Sequence, residues 1–97
     1  MIDFNKLKGF DWNRGNIFKN WLSHKVKNSE AEEIFFNKPI KIAIGTRHSA
    51  LKEERFNAFG KTNEERLLSI IFTVRNDKIR IISARDMSKK ERIKYEE

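Results

Sequence analysis

Four arginines set the chemistry this chain can offer: Arg55, followed by Arg75, Arg80 and Arg85 on two apolar runs. The first run reads Leu67-Leu68-Ser69-Ile70-Ile71-Phe72-Thr73-Val74-Arg75 and the second Ile79-Arg80-Ile81-Ile82-Ser83-Ala84-Arg85. Arginine in a strand is costly unless its guanidinium meets a partner, and phosphate is the partner its planar fork suits best. Such forks bind phosphate bidentately and can stabilise charge that grows on it during transfer. The plain alternative is that Glu53, Glu54 or Asp86 pair with some of them and keep a solvent face soluble, and both readings stay open. Counting with a period of two, Arg75 and Arg85 fall out of phase with Arg80, so the three are expected to split between the faces of a sheet.

His48 and the run Glu53-Glu54-Arg55 come next. A histidine a few residues from a glutamate, across a loop, is a possible acid/base pair beside a phosphate-binding arginine; standing alone, it is more simply a loop residue. Lys89, Lys90, Arg92 and Lys94 form at least a solvated cationic face, able to raise affinity for RNA or an acidic partner without reading sequence. Tyr95 follows them, either as a packing anchor or as a source of a hydroxyl. Trp12 reads mainly as core, with base stacking as the lesser alternative. The two histidines lack metal-site spacing, and no zinc motif, phosphate-cradling glycine loop or nucleophile elbow is present. Metal dependence and a cofactor are not expected.

The elements that must position these groups read as follows. Ile2 to Phe4 or Phe10 to Trp12 could open the chain as a short strand. Asn13 is a plausible N-cap for a helix to about His24, with Ile17, Trp21 and His24 on a core-facing stripe beside Phe18 and Leu22. A second helix starts near Asn28 or Ser29, with Ser29 and Glu32 as a capping box and Ala31, Ile34 and Phe35 as its buried face; Asn37-Lys38-Pro39 ends it. From Ile40 the period changes to two: Ile40, Ile42 and Ile44 predict a half-buried strand stopped by Gly45. Thr46 to Leu51 reads as a loop, Glu53 to Phe59 as a strand, and Gly60 to Asn63 as a turn. A hairpin at Asn76-Asp77 pairs Val74 with Ile79, Phe72 with Ile81, Thr73 with Arg80 and Ile71 with Ile82. Ser88 and Glu91 cap a last helix whose sole aliphatic anchor is Ile93, so it is expected to be weakly held. The class is α+β: two N-terminal helices, an antiparallel sheet of about four strands and a C-terminal helix.

Composition narrows the partners. The 97 residues suit one domain, spanning 1–97. With apolar content at 38%, including eight Phe and two Trp, the core must lean on aromatic area; each such ring buried is worth roughly 2–3 kcal/mol. Twenty-one Lys and Arg against fourteen Asp and Glu give a net charge of +7, which favours nucleic acid, an acidic protein or an anionic surface. The absence of cysteine excludes a disulfide scaffold, thiolate metal sites and cysteine catalysis. No apolar run approaches the ~18 residues that span a bilayer, and no signal-peptide core opens the chain, so a cytoplasmic location away from membranes is expected.

An ordered set of residues resembles the BrnT family of toxins over nearly the whole chain. It begins at Phe10-Asp11-Trp12, continues through His24, Val26, Glu30-Ala31 and Ile34-Phe35, then Arg47-His48, Glu53-Glu54-Arg55-Phe56 and Gly60. It ends with Leu67-Leu68, Phe72-Thr73, Arg75, the run Arg80-Ile81-Ile82-Ser83-Ala84-Arg85, Glu91-Arg92 and Tyr95. The resemblance implies a RelE-like fold and a ribonuclease toxin of a type II toxin–antitoxin pair. It also implies a BrnA-like antitoxin carrying a ribbon-helix-helix DNA-binding domain, so that DNA is met only through that partner. Ser23 and Lys25 stand where the family usually has Lys and Gly, Asn28 where an aromatic is common, and Lys38 and Gly45 where Pro and Asp are frequent. Losing the glycine alters a helix C-cap, which Lys25 fills only with strain.

The leading expectation is a metal-independent endoribonuclease. Arg55, Arg75 and Arg85 would stabilise the phosphate, His48 or Glu54 would serve as general base or acid, and Arg80 and Tyr95 would help. Two others are carried beside it: a non-catalytic basic module for an antitoxin-like partner or nucleic acid, and a DNA-binding regulator acting alone. No recognisable helix-turn-helix pair favours the last.

Overall fold

The computed structural model describes residues 6–44 and 53–97. The Ile2–Phe4 alternative, Gly45, Arg47, His48 and the Thr46–Leu51 loop lie outside them. The order is α1 (Lys19–His24), α2 (Asn28–Glu33), β1 (Lys41–Ile44), β2 (Phe56–Lys61), β3 (Leu67–Arg75), β4 (Lys78–Asp86) and α3 (Lys89–Tyr95). The strands form a four-stranded antiparallel meander in the order β1-β2-β3-β4. The expected α+β layout is the one found.

The β3–β4 hairpin forms because Asn76 and Asp77 accept the left-handed backbone its two-residue loop demands, with φ of 53° and 63°. Its alternating residues build the core: Leu68, Ile70, Phe72, Ile79, Ile81 and Ala84 are buried with Phe56, Ala58, Val26, Ala31 and Ile34. Ala31 and Ile34 bury as the sequence predicts, and Phe35 packs partly buried against them. The cap of α2 sits two residues earlier than expected: the Glu30 carboxylate accepts the Lys27 N–H at 2.9 Å.

The first helix departs most from expectation. Residues 14–18 are turns, and α1 covers only its C-terminal part. Phe18, Trp21 and Leu22 are 67%, 46% and 72% exposed, and His24 is exposed too, so the stripe does not face the core. The inward positions belong instead to Asn16 and Asn20. Asn16 Nδ2 donates to the Ile81 carbonyl at 3.1 Å, and Asn20 Oδ1 accepts from the Ala84 N–H at 3.0 Å. β4 is an edge strand with unpaired backbone groups, and amide side chains satisfy those groups where apolar ones cannot. Phe10 adds an isolated parallel bridge to Ile79 rather than an opening strand. At the corner that follows, Lys25 takes the left-handed C-cap with φ 54° and ψ 38°, the strained conformation expected of a non-glycine there.

β1 is the other edge strand, and all four of its residues are exposed, Ile44 by 72%. The predicted strand forms from Lys41; Ile40, just before it, packs partly buried on the core, whereas Ile42 and Ile44 stand exposed at the sheet margin. Gly60 lies inside β2 rather than in a turn. A Cβ there would come within 3.0 Å of Ile34 Cβ and 3.2 Å of the Ile34 carbonyl oxygen, so α2 approaches β2 only because no side chain intervenes. Gly60→Ala is therefore expected to destabilise the protein by about 1–3 kcal/mol, read as a lower urea midpoint at constant slope.

Candidate active site

Cross-strand partners in an antiparallel sheet share a face, so the register states which side chains stand together. Thr73 opposes Arg80 and Arg75 opposes Lys78, which places Arg75 and Arg80 on the face away from the core. Beyond Phe72 the register slips: Phe72 opposes Ile81, but Ile71 opposes Ser83. Ile82 is thus the extra residue of a β-bulge, not the partner of Ile71. The bulge shifts the phase of everything after it, and Arg85 comes to oppose Ser69 on the outer face. The expected split between faces is overturned, and Arg75, Arg80 and Arg85 share one side of the sheet. Arg55 immediately precedes β2, and continuing the β2–β3 register sets it opposite Thr73, in the row of Arg80. Thr73 Oγ1 donates to the Glu54 carbonyl at 2.8 Å and holds that segment against β3.

Two groups of charge result. In the first, Arg75 grips Glu53 with both arms of its fork, at 2.6 and 3.0 Å. That hydrogen bonding holds the Glu53 carboxyl below its usual range against the opposing effect of burial, with further help from the charges of Arg75, Arg55 and Arg80. Glu53 thus sits in the positive field of three guanidiniums. Arg80 Nη2 donates to Asn13 Oδ1 at 3.1 Å, and its Nη1 stands 3.6 Å from Asp11. Arg55 Nε and Arg80 Nη1 are buried donors without a hydrogen-bond partner among the described residues, a state that costs about 1–3 kcal/mol per group unless a ligand relieves it.

In the second group, Arg85 is held at 2.8 and 2.9 Å by both oxygens of Glu91. Glu91 is also the capping residue of α3, accepting the Ser88 N–H at 2.8 Å. The expected Ser88–Glu91 capping box is present, and it fixes Arg85 as well. α3 is anchored by Tyr95 rather than Ile93, which is 60% exposed. The Tyr95 hydroxyl donates to the Pro39 carbonyl at 2.5 Å, and burial raises its pKa. Lys89, Lys90 and Arg92 lie exposed along α3.

The Arg85 hydrogen bonds, aided by Ser88 and opposed by burial, lower the Glu91 carboxyl from 4.5 to about 2. A carboxyl with a depressed folded-state pKa binds more protons when unfolded, so its stabilisation is complete above pH 4.5 and is lost as pH falls towards 2. Amide protection factors at Ser88 and Glu91, which remove the intrinsic pH dependence of exchange, are expected to fall over that window. Glu91→Gln is expected to remove most of that fall, the remainder belonging to Asp86, whose carboxyl Arg66 also holds low.

Other predicted residues are placed elsewhere. His48 lies outside the described residues. Glu54 is half-buried beside Arg55. Trp12 Nε1 donates to Glu32 at 2.6 Å, a structural tie rather than a strand-edge stacking surface. The sequence reading missed Arg66, which binds Asp86 at 2.7 Å, Glu30 at 3.2 Å and the Lys25 carbonyl at 2.9 Å, locking the α1–α2 corner to the end of β4. It also missed Glu91 as the partner of Arg85, although the capping box already fixed where that carboxylate must sit. Among the described residues no group of three His, Cys, Asp or Glu could hold a metal, and no helix is long and apolar enough to cross a membrane.

No curated protein sequence matches the chain. A family profile does, over residues 12–91, and it describes a ribonuclease toxin, BrnT, of a type II toxin–antitoxin system. That span takes in both arginine groups, the bulge between them and the start of α3, and the family is the one the sequence resemblance named. The chain belongs to the BrnT family of ribonuclease toxins of type II toxin–antitoxin systems.

Proposed function

We propose that residues 1–97 act as one domain, a cytoplasmic endoribonuclease that cuts RNA without a metal and is neutralised by a BrnA-like ribbon-helix-helix antitoxin. The observation that carries this reading is the gathering of Arg75, Arg80 and Arg85 on one sheet face, with Arg55 continuing it. In the reaction the RNA 2′-oxygen forms a bond to the adjacent phosphorus while the bond to the 5′-oxygen breaks. A base takes the 2′-hydroxyl proton and an acid supplies one to the departing 5′-oxygen, leaving a 2′,3′-cyclic phosphate. The phosphorane gains negative charge, and guanidiniums supply the balancing positive charge.

Arg55 and Arg75 stabilise the phosphorane, with Arg80 beside them held by Asp11 and Asn13. Arg85, opposite Ser69 and so about 20 Å along the sheet from Arg75, grips a neighbouring phosphate of the same RNA strand. His48 or Glu54 moves the protons, and Glu53 is the further carboxylate that stands among the arginines. The pairs Arg75–Glu53 and Arg85–Glu91 are partly exposed, and exposed ion pairs are worth only about 0.2–1 kcal/mol, so a phosphodiester can exchange with either carboxylate. Lys89, Lys90, Arg92 and Tyr95 extend the contact along the RNA backbone. The antitoxin covers this face, and DNA is reached only through it.

Purified protein incubated with RNA in a chelator is expected to release fragments ending in cyclic phosphate. Binding without cleavage would instead support a non-catalytic basic module.

A further inference from the structure

Beside the arginine face a cleft of about 250 Å³ opens between the outer face of β1–β2 and α3. Lys41, Ile42, Ala43, Phe59, Glu91, Lys94 and Tyr95 line it. We propose that this cleft seats an unstacked nucleobase of the RNA, beside the phosphate that Arg85 contacts. The inference rests on the ribonuclease reading above and adds a base-binding subsite to it.

Three observations point to that occupant. The first is size: drug-sized ligands need pockets of roughly 300 Å³ and more, so a volume of about 250 Å³ suits a single planar ring system. The second is the lining. Phe59 and Tyr95 supply aromatic surface and Ala43 leaves room beside them, while Lys41 and Lys94 bring positive charge to the same cleft. Lys41 Nζ stands 5.6 Å from the Tyr95 ring centre and donates to the Lys94 carbonyl at 3.3 Å, which ties β1 to α3 across the cleft. Aromatic surface for the base and cations for the backbone are the combination that binds single-stranded nucleic acid, and stacking tolerates any base.

The third observation is placement. Lys41, Phe59, Ser69 and Arg85 form one cross-strand row on the outer face. Phe59 and Arg85 are two strands apart, about 10 Å at the usual strand spacing, and the arginine side chain shortens that gap to the reach of one nucleotide. Glu91 belongs to both places, lining the cleft while it holds Arg85. A phosphate that draws Arg85 away leaves the Glu91 carboxylate free to accept a hydrogen bond from a base edge.

The test compares adenosine 3′-monophosphate with ribose 5-phosphate, which carries a phosphate but no base, by amide chemical-shift titration of the whole chain. The nucleotide is expected to shift Ala43, Phe59 and Lys94, whereas the sugar phosphate shifts only the arginine face. Ala43→Phe fills the cleft and is expected to weaken the nucleotide about tenfold or more while leaving the sugar phosphate unchanged. Phe59→Leu removes the ring and is expected to do the same, which keeps the test sound if either variant folds poorly. Identical shift maps for the two ligands, or unaltered nucleotide affinity in a folded variant, would overturn the proposal. Cleavage in chelator is read separately, so failure of the ribonuclease reading is distinguishable from an empty base subsite.

Discussion

Replacing Arg55 by alanine is expected to lower RNA cleavage by about 10²–10³ and to relieve growth inhibition, with the melting temperature nearly unchanged. The size of the effect follows from what Arg55 does not do. Its Nε is buried without a hydrogen-bond partner among the described residues, so the resting fold gains little from that donor. A donor with no partner among the described residues can act when charge appears on the phosphorane, and such a difference between states is what accelerates a reaction. Arg85→Ala should also lower cleavage and relieve toxicity, through the neighbouring phosphate it grips, and with a structural signature, because it releases Glu91 from two short hydrogen bonds. Single-turnover cleavage, growth assays and thermal melts on both variants give the comparison. Unchanged toxicity in both would remove these arginines from the proposed site.

The arginine face was misread in two places. Arg75 shares the face of Arg80 once the Thr73–Arg80 pairing is followed, which counting straight through the turn hides, and the face of Arg85 depends on one residue. The hairpin itself was legible, because Asn76-Asp77 between alternating apolar runs leaves few other options, and the pairings Val74–Ile79, Phe72–Ile81 and Thr73–Arg80 are those the turn dictates. The bulge at Ile82 was not legible, because Ile81-Ile82 offers two equivalent apolar residues and alternation cannot say which is extra. That ambiguity decided the face of Arg85. The first helix failed for a related reason. Apolar spacing identified a stripe, but the neighbour waiting for it was a strand edge, whose backbone groups select Asn16 and Asn20. The stripe of Phe18, Trp21 and Leu22 was left outside. Local signals with a fixed geometry, such as the Ser88–Glu91 box, read correctly; long-range pairings such as Arg66 with Asp86 and Glu30 leave no periodic trace.

Placed over the whole face, the two carboxylates that grip arginines acquire a common meaning. Hydrogen bonds from Arg75 and Arg85 lower the pKa values of Glu53 and Glu91, that of Glu91 to about 2. Each neutralises a guanidinium that would otherwise stand beside like charges in a chain of net charge +7. The same pairs hold the forks in orientations that a phosphate can take over, since a carboxylate and a phosphate present similar pairs of oxygens.

Phe72→Ala is expected to cost about 3–5 kcal/mol, the largest single-residue effect on stability anticipated here. Phe72 is fully buried, with the Phe35 ring edge-on at 5.2 Å and the Phe56 ring stacked at 5.4 Å. It therefore joins three parts of the fold: the segment after α2, β2 and β3. Typical domains hold only about 5–15 kcal/mol in total, so this one truncation removes between about a fifth and all of the margin. Its position gives the loss a second consequence. Phe72 opposite Ile81 is the last regular pair before the bulge, and the register beyond it decides which face Arg85 occupies. A one-residue slip there would turn Arg85 towards the core, an arrangement that burial of an unpaired guanidinium forbids. Truncation is thus expected to unfold the sheet rather than reset it: one cooperative urea transition at a lower midpoint, with cleavage lost in step with folded protein. Phe72→Leu, which keeps most of the buried area, should fall between the two. Activity falling ahead of unfolding in Phe72→Ala would show instead that the bulge, and the face it sets, can slip within a folded chain.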